Sequence, residues 1–439
     1  MRGLMSVPEF EQHPERRTVL DEMHVRPFLP YSSPRRFYHY AFVLDPAQVA
    51  DEPERFAVLC STLGAKPPPV GARFHNLILS DWSLRWELHA EFSTYTWTTG
   101  EGIDEPFAPT SAAALEQFHG QIPLGRLLVW LELALISHSE GSNRPEQNFD
   151  RASLTVIEAA DGLARVASDF RQAENGSVRI LVEDFGLSPA RAGRLVQRLL
   201  EMETYRCLAL LGLPAARRSD PTVRGIEQAL LEASRELTSE SGPAKSHDLL
   251  RQLTALSAEL EATIAGTSYR FGATRAYADL VRARLEVIRE KEYAGYTSFS
   301  RFLRRRFNPA IATCAMLEAR QKALSDRLSH AVDLLRTRIQ LEVEQQNRAL
   351  LASMNRRSRL QLRLQQTVEG LSVAAISYYV VGLISYAIKG LKDAMLLPEV
   401  ISPALMTALS VPFVIVCIWW LLHRARREWS KRQSDDQAE

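Results

Sequence analysis

The chain has 439 residues, and its 53 lysines and arginines nearly balance 52 aspartates and glutamates. That length allows two or three domains, and the balance points to no nucleic-acid partner. Cys60, Cys207, Cys314 and Cys417 lie far apart with no CxxC pair, which excludes a disulfide framework or a cysteine zinc site and fits a reducing compartment.

Met1 to Arg17 holds no apolar run, so no cleavable secretory signal is expected and the bulk of the protein is placed in the cytosol. Residues 1–237 read as an α+β cytosolic domain. Strands are expected at Phe37 to Leu44, Phe74 to Leu79, Leu84 to Trp97, Leu127 to Ile136, Leu154 to Ile157 and Val178 to Val182, where apolar residues alternate or are β-branched. Neighbouring strands without intervening helices point to a largely antiparallel sheet. Ser111 to Phe118 is expected as a short helix. Ser188-Pro189 signals a helix continuing to about Leu211.

Two clusters in this domain carry potential chemistry. Alternate residues of Glu22-Met23-His24-Val25-Arg26 would share one face of a strand. In Glu87-Leu88-His89-Ala90-Glu91 the same spacing aligns Glu87, His89 and Glu91. Such a row is either a divalent-metal or acid–base site, or a set of ion pairs on a sheet. His39 and His75 are further imidazoles that nothing in the sequence places near it. Arg191, Arg194 and Arg198 after Gly186-Leu187-Ser188-Pro189 weakly resemble a helix-turn-helix, but acids balance them, so no nucleic-acid partner is expected. There is no GxxxxGK[ST], GxSxG or HExxH, and no segment names a reaction or a cofactor, so an enzyme is not expected.

Residues 238–248 read as a linker, and 249–370 as an antiparallel helical pair whose second member is a long stalk. No glycine interrupts Asn308 to Glu369. Asn308 is placed as the cap and Pro309 as the first helical residue. A helix from Pro309 to Ile388 would extend roughly 120 Å, so something must pack along it. Leu324, Leu328, Val332, Leu335, Ile339, Val343, Gln346, Leu350 and Met354 follow an 11-residue repeat. That stripe fits either partner helices from other copies or a helix lying on its own domain.

Residues 371–388 and 401–422 are uncharged over the length of a membrane span, the second ending in Trp419-Trp420. Arg356, Arg357, Arg359 and Arg363 precede the pair, while Arg424, Arg426, Arg427, Lys431 and Arg432 follow it in a basic tail, 423–439. The loop between the spans carries only Lys389 and Lys392. Both termini are therefore expected on the cytoplasmic side of a two-helix transmembrane hairpin. Ala375, Tyr378, Gly382, Ser385 and Lys389 share one face of the first span. Small and polar residues at this spacing either pack on the second span or line a pore repeated around a homo-oligomer.

The segments EMHVRPF from Glu22, LRWELHAEFSTYTW from Leu84, GRLVQRLLEMETYRCLALLGLP from Gly193 and QQTVEGLSVAAISYYVVGLISY from Gln365 resemble the bacterial domain-of-unknown-function family numbered 3422. The resemblance spans nearly the whole chain and implies a membrane-anchored protein of the bacterial inner membrane. The layout is also similar to that of the CorA group of magnesium channels, which implies a ring-shaped oligomer whose first span lines the pore. CorA channels carry Gly-Met-Asn after that span, whereas this chain reads Tyr386-Ala387-Ile388-Lys389-Gly390-Leu391. A ring of Lys389 would repel cations, unless the side chain only snorkels to the interface. The leading expectation is an oligomeric CorA-like ion channel or transporter with a regulatory cytosolic domain. The alternative is a membrane-tethered scaffold or sensor that conducts nothing.

Overall fold

Successive side chains of a strand point to opposite faces of its sheet, and β1 (Arg35–Val43) has apolar residues on both. Tyr38, Tyr40 and Phe42 join one buried cluster, and Phe37 and Ala41 another. A strand with two buried faces belongs in the middle of a sheet with helices on either side, and β1 lies there. The computed structural model describes residues 13–16, 20, 28–100, 105–108, 115, 118, 120, 124–138, 145–238, 243–393 and 402–435. It divides the chain into two compact units, Met1–Asp333 and Leu334–Glu439.

In the first unit β1 is followed by α1 (Pro46–Thr62), β2 (Phe74–Ile78), β3 (Trp82–Leu88), β4 (Phe92–Thr99), β5 (Arg126–Ser137), β6 (Thr155–Ala159), β7 (Ala164–Ser168) and β8 (Val178–Asp184). Then come α2 (Pro189–Leu210), α3 (Gly212–Thr238), α4 (Pro243–Ile288), the two-residue β9 (Lys291–Glu292) and α5 (Phe299–Asp393). The nine described strands form one sheet in the order β2-β3-β4-β1-β5-β8-β7-β6-β9. Its described ladders are antiparallel except β5 against β8. The fold is α+β with a largely antiparallel sheet, as the strand spacing predicts.

Three expectations need correction. The run from Leu84 to Trp97 is a hairpin rather than one strand, turning at His89–Glu91 between β3 and β4. The stalk helix starts at Phe299, so Pro309 lies inside it. Its first turn is fixed by Glu290, whose carboxylate accepts the Ser300 N–H (2.9 Å), and by Phe299, Leu303 and Phe307, all buried one turn apart. The linker is shorter than expected, since α4 already begins at Pro243. The predicted helix at Ser111 to Phe118 lies mostly outside the described residues, as does the strand reading of Glu22 to Arg26.

α1 covers the face bearing Tyr40, Trp86, Tyr95 and Trp97, where Phe56 stacks on Trp86 with ring centroids 4.5 Å apart. Asp45 and Gln48 close a reciprocal capping box at its start, with bonds of 2.9 and 3.0 Å. α2, α4 and the first turns of α5 cover the other face. α4 and α5 run antiparallel, tied by Arg275–Glu318, by Thr267 with Gln321 (3.3 Å) and by Ser325 to Glu261 (2.9 Å). Leu324 and Leu328 are buried in this unit, so the upper part of the 11-residue stripe packs within its own chain. A chain ended after Asp333 is expected to stay soluble without detergent and to keep the helix and strand signals of its circular dichroism. Aggregation of that product would contradict the division into units.

The second unit holds the remainder of α5 and α6 (Pro403–Asp435). Both helices contain windows long and apolar enough to cross a membrane, and those windows are almost wholly exposed. In the apolar part of α5 the shielded positions are Val373, Ser377, Val380, Val381, Gly382, Ile384, Ser385 and Ile388; in α6 they are Thr407, Ser410, Val414 and Ile418. The α6 set recurs at three- and four-residue steps, one face of a helix, whereas the α5 set spreads wider, since Gly382 and Ser385 lie roughly 80–140° from Ser377. Among the described residues the unit holds only these two segments, so the deepest shielding, at Ser377 and Val414, marks where they meet. Small and β-branched residues dominate both seams, as close helix approach requires.

Candidate functional site

Side chains from three adjacent strands and α2 line a cavity in the first unit. β1 brings Phe37 and His39, β3 Arg85 and Glu87, and β4 Phe92, Thr94 and Thr96. α2 brings Gly193, Val196, Gln197, Leu200, Glu201, Thr204 and Tyr205, and Leu29 and Tyr31 close one side. The enclosed space is small, about 40 Å³, and opens to solvent. Gly193 is required where it stands, because a Cβ there would collide with the Leu29 carbonyl. That contact, with the Tyr31 N–H bonded to Pro189 O at 2.9 Å, fixes the 29–31 segment against the start of α2.

His39 is buried between two hydroxyls. Its Nε2 lies 2.9 Å from Thr204 Oγ1 and its Nδ1 2.8 Å from Thr96 Oγ1. The Thr204 hydroxyl already donates to Leu200 O at 2.8 Å, so it accepts from His39 Nε2–H, and Nδ1 accepts from Thr96. The ring is therefore held neutral in one tautomer. Burial lowers its pKa from 6.5 to about 4, with Glu87 acting in the opposite direction.

Arg85 and Glu87 sit two residues apart on β3, on the cavity face. Arg85 Nε donates to Glu87 Oε1 at 2.8 Å and Nη2 to the same oxygen at 2.5 Å. His89 Nε2 lies 3.7 Å from Glu87 Oε2, its ring stacked on Phe92 with centroids 4.0 Å apart. Burial works against the Glu87 charge, but His89 and Arg85 together outweigh it and hold the carboxyl down at about 2. This is an ionised, hydrogen-bonded set on the floor of an otherwise apolar and aromatic cavity, suited to orienting a polar group of a small ligand.

The structure thus brings Glu87 and His89 together and adds His39, while Glu91 goes elsewhere. Because the strand reverses after Leu88, Glu91 meets α4 and accepts from Arg270 Nη2 at 2.6 Å. His75 lies on edge strand β2 and packs on Phe56, 6.0 Å between ring centroids, across the sheet from His39. Among the described residues no group of three or more His, Cys, Asp or Glu is placed to hold a metal ion. Arg85 is missing from the sequence-predicted row, although the same alternation puts it on the face of Glu87. Thr96 and Thr204 carry no sequence signal, because only the sheet register and the α2 docking bring them to His39.

In the second unit the predicted pore-lining positions divide into exposed and shielded ones. Ala375, Tyr378 and Lys389 are exposed, while Gly382 and Ser385 are half-buried. At 100° per residue their face is turned roughly 120° from the Ser377 seam.

Fold and site together define a sheet-and-helix domain with a polar-floored cavity, followed by a helical pair of membrane-span composition. The chain belongs to the family described as protein of unknown function (DUF3422), whose profile matches residues 11–429. No curated protein and no solved structure matches it.

Proposed function

We propose that this protein is a homo-oligomer of the bacterial inner membrane whose first span lines a path for a small ion under control of the soluble domain. The observation that carries this reading is the exposure of Ala375, Tyr378 and Lys389, on the face they share with the half-buried Gly382 and Ser385. A small, polar helix face left open in hydrocarbon calls for another protein surface or for water. The stalk supports the same arrangement. Val343, Leu350, Met354, Leu364 and Val368 are all exposed in the single chain, and an apolar stripe of that extent marks an interaction surface.

Under this reading the layout is CorA-like, with both termini cytoplasmic, as the arginines flanking the two spans require. Lys389, exposed at the end of the first span, would form a ring favouring anions over cations. Purified protein in vesicles is expected to pass small anions, and Lys389→Glu to shift the preference towards cations. Absence of flux for every tested ion, or a monomer by native mass spectrometry, would remove the transport reading.

A second reading is a membrane-tethered sensor or scaffold, favoured by the cavity. Two of its wall residues hold α4, Glu201 through Arg284 and Tyr205 by stacking on Tyr277 at 5.8 Å. A ligand between the sheet and α2 would thereby bear on α4. If this reading holds, exchanging the hairpin for an unrelated two-span anchor preserves function in cells.

A further inference from the structure

The stretch from Gln345 to Val368 contains no acidic residue and five arginines. Arg348 is paired with Glu344. Arg356, Arg357, Arg359 and Arg363 are exposed, with no ion pair among the described residues. Arg356, Arg359 and Arg363 recur at three- and four-residue steps on one face of α5. Five exposed apolar residues, Leu350, Met354, Leu364, Val368 and Leu371, form a second face, turned from the first by roughly 135° at 100° per residue, while the exposed Leu351, Leu360 and Leu362 lie between the two. If the apolar face meets neighbouring copies, the arginine face looks outward.

Height fixes what that face meets. Arg363 lies eight positions before Leu371, so its Cα is about 12 Å beyond the hydrocarbon edge along the helix. A headgroup layer of roughly 6 Å and the reach of a snorkelling arginine close that gap. Arg359 lies roughly one Debye length from the same surface. At the same end of the hairpin, Arg424 sits over the Trp420 ring at 5.4 Å, just past the second span, and Arg427 and Lys431 continue its three- and four-residue spacing. Such outward guanidiniums beside a bilayer are matched by phosphate oxygens, which they bind in fork geometry.

We propose that Arg359 and Arg363 of α5, with Arg424 of α6, form a site for the phosphate of anionic phospholipids in the leaflet at the N-terminal end of the first span. The inference rests on the membrane reading above and names the lipid class that the hairpin selects. At about 1 kcal/mol per basic residue near the surface, loss of three arginines corresponds to about a hundredfold, and at least tenfold where contact is incomplete.

The test is titration of phosphatidylglycerol and phosphatidylcholine onto the detergent-solubilised full chain, read by native mass spectrometry. Wild type is expected to prefer phosphatidylglycerol, the triple variant R359Q/R363Q/R424Q to lose at least tenfold of that preference, and R359K/R363K/R424K to keep most of it. Equal binding of the two lipids by wild type, or a preference unchanged in the glutamine variant, would overturn the site. Flotation with phosphatidylcholine vesicles separates the two ideas: a chain that fails to float refutes the membrane reading itself, whereas one that floats without lipid preference refutes this inference alone.

Discussion

Arg206→Leu is expected to lower the stability of the soluble unit by about 3–5 kcal/mol, the largest loss among the substitutions considered. Glu203 is fully buried in α2, and Arg206 one turn later grips both its oxygens, Nε to Oε2 at 2.7 Å and Nη2 to Oε1 at 2.5 Å. Burial alone would lower the guanidinium pKa, but the Glu203 charge outweighs it and raises it. Leucine leaves Glu203 as an uncompensated charge in a core of Leu199, Met202 and Val281. Glu203→Leu combined with Arg206→Leu removes both charges and should recover most of the loss, since buried pairs contribute little beyond each other's neutralisation. Thermal or urea unfolding of wild type, single and double variants checks this. A single variant within about 1 kcal/mol of wild type would show that water reaches Glu203.

Such a pair explains why parts of the fold were legible in the sequence and others were not. Elements with local signals were found close to their true limits. The Ser188-Pro189 start of α2, the apolar runs of β1 and β5, the β-branched residues of β8, and the uncharged windows of α5 and α6 all act within a few residues. What escaped depends on distant partners. The β3–β4 turn at His89–Glu91 contains no glycine, proline or asparagine, and Glu91 meets a residue 179 positions later. Pro53 inside α1 disguised a helix that its capping box and Phe56 nonetheless sustain. The stalk stripe reads as one continuous repeat, but Leu324 and Leu328 are buried in the soluble unit whereas Val343 and Leu350 are exposed. The candidate cavity was half visible: Glu87 and His89 stand out by type and spacing. Apart from Arg85 on β3, its other polar members come from β1, β4 and α2, brought together only by sheet order and helix docking.

The same cavity makes the fold sensitive to acid, in a direction the geometry fixes. His39 is neutral between Thr96 and Thr204, and its pKa falls from 6.5 to about 4. Between these values the unfolded chain binds a proton that the folded one refuses, so the His39 contribution is fully present above pH 6.5 and drains away as pH falls to about 4. The amount is about 3 kcal/mol, at 1.36 kcal/mol per unit. Glu87 adds a second step with the same sign at lower pH. Its folded pKa of about 2 lies below the ordinary 4.5, so its contribution is lost as pH falls from 4.5 towards 2. Arg85, Glu87 and His89 are the charged or titratable groups acting on His39, and the positive ones among them reinforce its neutral state. His39→Gln retains a donor for Thr204 and an acceptor for Thr96 but binds no proton. Urea unfolding of the full chain between about pH 6.5 and pH 4 should show a steep loss of stability in wild type and a much shallower one in His39→Gln, while both lose stability together at lower pH. Equal slopes in the upper range would mean that His39 takes up its proton without leaving the pair of threonines, and that the cavity floor admits charge.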